Sequence, residues 1–198
     1  APEAESKLID LWDDSEDLAL RQPGHSLMGI NDPTGSFRLG IIGEQRTAGI
    51  LAPLANQGWH ILHSIPLSPT KDLDHLLIGP GGVFVVNSKN TTYPVVLDKD
   101  KGVRVDGRGQ NWRESLLRDG KVAKEMLMVA TRATGLKIRF SVAVWSSISI
   151  TGRTSGVIDA ERLPAVVSGV EKVYDQRTID ALYSAARNPA TWDSRVVS

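Results

Sequence analysis

The run Asp72-Leu73-Asp74-His75-Leu76-Leu77-Ile78-Gly79-Pro80-Gly81-Gly82-Val83-Phe84-Val85-Val86-Asn87-Ser88-Lys89-Asn90 decides how this chain folds. Two apolar, branched stretches flank Gly79 to Gly82, a four-residue turn, so an antiparallel hairpin is expected. If Ile78 faces Val83, Asp74 lies opposite Asn87 and Asp72 opposite Lys89. Alternation of side chains along strands then projects Asp74, Asn87 and Lys89 from one face. The register is an assumption, because a slip of one residue sends every side chain to the other face. An acid, an amide and a lysine on one face outline metal-assisted phosphodiester chemistry, and the same pattern also suits a surface ion pair.

Upstream, Phe37 to Gln57 reads as a helix closed by Gly58, with Pro53 kinking its last turn or starting a second short helix. Ile41, Ala48, Leu51 and Ala55 form its apolar stripe, and Glu44 fills the missing position. An ionised carboxylate on such a stripe is costly unless it is paired or holds a metal. Mg²⁺ takes oxygen ligands, which Asp74, Glu44 and the Asn87 carbonyl could supply, while Lys89 could stabilise charge developing on a phosphate.

Strands are expected at Trp59–Leu67, Asp74–Ile78 and Val83–Lys89, with weaker ones at Tyr93–Leu97 and Gly102–Val105. A long helix at Arg113–Thr134 carries Leu116, Leu117, Met126, Leu127 and Ala130 inside. Lys137–Trp145 is an uninterrupted apolar strand, expected to be central. A short strand near Val157 and helices at Ala160–Ser168 and Arg177–Arg187 follow, the last stopped by Asn188-Pro189. The α-β-β-β-(β)-α-β order implies an α/β domain with a mixed sheet flanked by helices. Residues 1–36 read as peripheral, with an amphipathic piece at Leu8–Leu20 and turn chemistry at Gln22-Pro23-Gly24 and Asn31-Asp32-Pro33-Thr34-Gly35. Residues 37–198 read as a single domain.

The 198 residues are 41% hydrophobic and 23% charged, a globular balance, and the absence of cysteine excludes disulfides, thiolate metal sites and a cysteine nucleophile. No apolar run reaches the roughly 18 residues a membrane helix needs, which together with the lack of a signal pattern points to a cytoplasmic protein. The net charge of zero conceals a split. Residues 1–20 carry seven acids against Lys7 alone, and Lys99 to Arg139 carries 11 bases against 5 acids. A basic body suits a polyanion, although charge runs are often solvated faces.

The block Asp74 to Phe84 followed by Asn-x-Lys resembles the nuclease-related domain, NERD, a family grouped with the PD-(D/E)xK restriction-endonuclease-like nucleases. Gly43-Glu44 resembles the family's helix acid, and Gly58-Trp59-His60-Ile61-Leu62-His63 its first strand. Val105-Asp106-Gly107 and the basic helix fit the same layout. Ala185-Ala186-Arg187-Asn188-Pro189-Ala190-Thr191-Trp192 resembles the tail of actinobacterial members, so the likeness runs from about Arg38 to Trp192.

The resemblance implies a restriction-endonuclease-like core and a Mg²⁺- or Mn²⁺-dependent nuclease acting on DNA. By it Asp74 and Glu44 are metal ligands and Lys89 the transition-state stabiliser. Asn87 stands, as an auxiliary ligand, where the wider family carries Glu or Asp. A neutral amide binds Mg²⁺ more weakly than a carboxylate and is no general base. The alternatives are a catalytically inactive DNA-binding module on the same fold, or an interaction or regulatory module engaging a homodimer or protein partner through the acidic N-terminus. Gln110, Arg113, Arg118, Lys121 and Lys124 are the candidate phosphate contacts, each also readable as a solvated helix face.

Alternation points His75 away from the Asp74 face, into a packed or capping role. His60 and His63 take opposite orientations, which argues against a joint zinc site. Gly79-Pro80-Gly81-Gly82 lacks the Lys-Ser/Thr of a phosphate-binding loop.

Overall fold

The computed structural model describes residues 33–68 and 71–193, with the side chains of 33–37 excepted. The expected Leu8–Leu20 helix, the acidic N-terminal segment and the turn at Gln22-Pro23-Gly24 lie outside the described residues.

The first helix, α1 (Pro33–Leu51), passes into a 3-10 turn (Ala52–Gln57) at the point where Pro53 interrupts it. Gly58, at φ 84°, terminates that turn in the left-handed conformation that glycine adopts without penalty. Pro33-Thr34-Gly35, expected as a turn, is instead the first turn of α1, where a proline's fixed φ suits a helix start.

Five strands form the main sheet in the order β1-β2-β3-β7-β9. They are β1 (His60–Ser68), β2 (Lys71–Gly79), β3 (Gly82–Thr91), β7 (Ile138–Ser146) and β9 (Val157–Asp159). β2 runs antiparallel to β1 and β3, whereas β3, β7 and β9 are parallel, so the sheet is mixed. Ile78 does face Val83, and Gly79 pairs with Gly82, so the turn itself is only Pro80-Gly81. The glycines are required there, since a Cβ at Gly79 would overlap the Trp59 ring.

Strand alternation divides the core in two. Leu76, Ile78, Val83, Val85, Val142 and Val144 pack with Leu116, Met126 and Leu127 of α2 (Trp112–Thr131) and with Ile179 and Leu182 of α4 (Gln176–Arg187). Leu77, Phe84, Val86, Ala143 and Trp145 pack with Leu51 of α1, with Leu54, and with Leu163, Val166 and Val167 of α3 (Leu163–Ser168). The result is a sheet between helices, the α/β architecture expected and consistent with a restriction-endonuclease-like core.

Three details differ from the sequence reading. The buried face of α1 is Gly43, Thr47 and Leu51, while Ile41 is 39% exposed and Ala55 exposed. Small residues allow α1 to lie close to β3, where a Cβ on Gly43 would come within 2.8 Å of Asn90 Cβ, so the helix docks through a glycine and a hydroxyl beside Leu51. Ala130 is likewise exposed, and Asp119, Gly120 and Ala123 take the inner positions of α2. The weak strands belong to a second, four-stranded sheet in the order β6-β5-β4-β8, comprising β4 (Val95–Asp98), β5 (Gly102–Val105), β6 (Arg108–Gln110) and β8 (Ile150–Gly152). β6 and β8 are three residues each, too short to show a periodic pattern.

Candidate nuclease-type site at a fork in the sheet

The β2–β3 ladder begins at His75 and Val86 and runs to the turn. Before it, β2 stays on β1, with Leu73 paired to Ile65 and Asp72 to Pro66. β3 stays on β7 to its end, with Asn87 paired to Val142 and Lys89 to Val144. The sheet therefore forks where the two strands part, and Asp74, Asn87 and Lys89 stand at the fork. The expected placement of Asp72 opposite Lys89 does not form, because each strand has exchanged its partner by that point.

Parting removes ladder partners, and Asp74 takes one of the backbone donors. Asp74 Oδ2 accepts the Ser88 backbone N–H at 2.6 Å, taking the place of a ladder bond. Lys89 Nζ donates to Asn87 Oδ1 at 2.8 Å, which keeps these two side chains on one face as alternation requires. The charges of Lys89, Glu44 and Asp72 all act on Asp74. Glu44 is half-buried on α1 and flanks the docking stripe rather than lying in it.

Burial is the main cause of a raised Asp74 pKa, pushed up to about 6; the Ser88 amide and Lys89 draw it down, and Glu44 and Asp72 add to the rise. An acid held near neutrality with like charges around it is a frequent condition at functional sites. The donor set fits a hard divalent cation: two carboxylates and an amide carbonyl, all oxygen. Among the described residues no three His, Asp or Glu side chains converge as a ready-made cage.

The remaining candidates divide. Arg118 and Lys121 are exposed on α2 and Arg113 and Lys124 half-buried there, while Gln110, at the end of β6, donates to the Arg108 carbonyl at 3.3 Å. The middle of α2 is tied to the site strand, since Lys71, at the start of β2, binds the buried Asp119 at 2.5 Å. His60 stacks on Tyr183 with ring centroids 3.9 Å apart, whereas His63 meets His75, so the two do not share a ligand.

A polar chain that sequence reasoning missed lies behind the site. His63 Nδ1 and His75 Nδ1 are 2.7 Å apart, and His75 Nε2 is 3.0 Å from Ser88 Oγ. Ser88 Oγ donates to Thr47 Oγ1 at 2.9 Å; Thr47 Oγ1 also accepts from Trp145 Nε1 at 2.9 Å and donates to the Gly43 carbonyl at 2.9 Å. His75 is 1% exposed, and burial, followed by the neighbouring His63, lowers its pKa to about 3, so it is neutral at physiological pH. The one available signal was a histidine alternating into an otherwise apolar strand face.

Residues 39–151 match the model of the family described as Nuclease-related domain, NERD. The match takes in Glu44, Asp74, Asn87 and Lys89 together with the basic part of α2. The chain matches none of the curated proteins and none of the solved structures with which it was compared.

Proposed function

Because the chain belongs to the nuclease-related domain family, we propose that it is a metal-dependent nuclease that hydrolyses DNA phosphodiester bonds at the fork between β2 and β3. The observation that carries this reading is the fork itself, with Asp74 half-buried within the electrostatic reach of Lys89 and Glu44, and Asn87 bonded to Lys89, where two strands part. On this reading the chain belongs to the wider PD-(D/E)xK grouping, with residues 37–198 as its catalytic unit and the acidic segment 1–36 peripheral to it.

Asp74 and Glu44 would hold Mg²⁺ or Mn²⁺, with the Asn87 carbonyl as auxiliary ligand. The cation supplies Lewis-acid polarisation of a phosphoryl oxygen when bound. Ser88 fixes one oxygen of the Asp74 carboxylate through its backbone amide, which would orient the group for a cation. Lys89, released from Asn87, stabilises negative charge developing on the phosphate. Arg118 and Lys121, with Arg113, Lys124 and Gln110, would follow the DNA backbone, and binding should weaken steeply with salt.

Asn87 favours a second reading. Its oxygen is engaged by Lys89, and it contributes no charge where a third acid would sit. The same surface would then bind DNA without cutting it.

Cleavage of plasmid DNA in Mg²⁺ and in Mn²⁺ tests the proposal. Cutting that EDTA, Asp74→Ala and Lys89→Ala each abolish supports the enzyme. Salt-sensitive binding with no cutting in either metal supports the second reading.

A further inference from the structure

The polar chain behind the fork has a single consistent proton arrangement. The Trp145 indole only donates and the Gly43 carbonyl only accepts. Thr47, bonded to both, must direct its own hydrogen to Gly43, and it is left accepting from Ser88 as well as from Trp145. With the Ser88 hydrogen committed to Thr47, Ser88 Oγ accepts from His75, so His75 carries its proton on Nε2. His75 Nδ1 is then an acceptor, and His63 donates to it from Nδ1. Every hydrogen points inward from the surface toward α1.

One group in this chain bonds a proposed ligand by another atom, and a second shares a helix with the other ligand. Ser88 holds Asp74 through its backbone N–H while its hydroxyl is fixed by Thr47 and His75. Thr47 lies three residues after Glu44 on the same helix and carries the buried contact of α1 with β3. Asn90 supports that contact about two turns earlier, donating to the Leu39 carbonyl at 3.0 Å. Arg46 stacks over the Trp145 ring at 3.9 Å and adds a third point of attachment, to β7. The Ser88–Thr47 bond therefore joins the strand that holds one carboxylate to the helix that carries the other.

We infer that Thr47 and Ser88 are positioning residues that set the separation of Asp74 and Glu44 across the fork. The inference rests on the nuclease reading for its catalytic consequence, but its structural content does not. Its physical basis is that a fully satisfied buried network admits one arrangement, whereas a packed apolar contact would tolerate sliding of α1 along β3. Small misplacements of ligands matter, since an error of about 1 Å can cost on the order of 100-fold in rate.

The test compares Thr47→Val, which keeps shape and removes the hydroxyl, with Thr47→Ser, which keeps the hydroxyl. Trp145→Phe serves as a milder break should Thr47→Val fail to fold. The first readout is the Ser88 amide proton resonance, which the bond to Asp74 moves downfield in the wild type. Thr47→Val should shift it upfield and Thr47→Ser should restore it, with no DNA or metal present. The second readout is cleavage, where Thr47→Val should lower kcat by on the order of tenfold to 100-fold with KM little changed, again rescued by Thr47→Ser. A folded Thr47→Val or Trp145→Phe with the Ser88 resonance unmoved overturns the inference. If the wild type cuts nothing while the resonance shifts and is rescued as stated, the positioning stands and the nuclease reading fails.

Discussion

The Ser88 backbone N–H donates to the Asp74 carboxylate at 2.6 Å, at the position where a further β2–β3 ladder bond would have formed. A site acid is thereby incorporated into the backbone hydrogen bonding of the sheet, and the predictions below follow from what that costs and what it supports.

Asp74→Asn should abolish cleavage and make the protein more stable at pH 8. The Asp74 pKa of about 6 lies above its ordinary 3.8, so between these values the folded chain binds more protons than the unfolded one. Stability is therefore lost as pH rises through that window, and the deficit is complete above pH 6. The shift corresponds to about 2–3 kcal/mol. Asparagine keeps an acceptor for the Ser88 amide and carries no charge. Urea denaturation should show Asp74→Asn more stable by about 1–3 kcal/mol at pH 8 and little different below pH 3.8.

His75 acts with the opposite sign. Its pKa, lowered to about 3, lies beneath the ordinary 6.5, so between these values the unfolded chain binds more protons and stability is lost as pH falls. The two slopes oppose one another between pH 3.8 and 6. His75→Gln should expose the Asp74 slope, with stability rising as the solution is acidified from pH 6 to 4 by up to about 1.4 kcal/mol per unit. Asp74→Asn should expose the His75 slope in the other direction. Parallel stability–pH curves for the two variants would contradict the assignment.

Asn87→Glu should strengthen Mn²⁺ binding, since it adds the charge that the oxygen-donor set lacks. Calorimetric titration should show at least a tenfold lower Kd than the wild type, an extra binding free energy of about 1.4 kcal/mol.

Gly120→Ala on α2 should destabilise even though alanine favours helix. A Cβ there would overlap the Phe140 ring of β7, and overpacking costs about 1–3 kcal/mol against the roughly 1 kcal/mol that helix propensity returns. Thermal melting should show a net loss, whereas Gly49→Ala on α1, with open space around it, should show a gain.

The hairpin was legible because its signals are local. Glycines enclose the turn, branched residues fill both strands, and Ile78 faces Val83 in the register assumed for them. His75 pointing away from the site followed from alternation and is seen in its bond to Ser88. The fork was not legible: it depends on β2 keeping β1 and β3 keeping β7 after they part, and pairing preferences do not encode where a ladder ends. The docking face of α1 was misread because Gly43 and Thr47 do not register as apolar, yet a small residue and a buried hydroxyl make the closer contact. Thr47 reaches Ser88 across 41 residues and Trp145 across 98, separations over which no sequence period carries information. The acids and the lysine could be named from the motif, whereas the polar chain behind them required the fold.

The most direct test of the central claim is incubation of supercoiled plasmid with Mn²⁺ at pH 8, comparing the wild type with Asp74→Asn. The account predicts relaxed and linear products from the wild type, and none from a variant that is folded and more stable than its parent. Equal cutting by both proteins would contradict it, because the chemistry would then lie somewhere other than the fork.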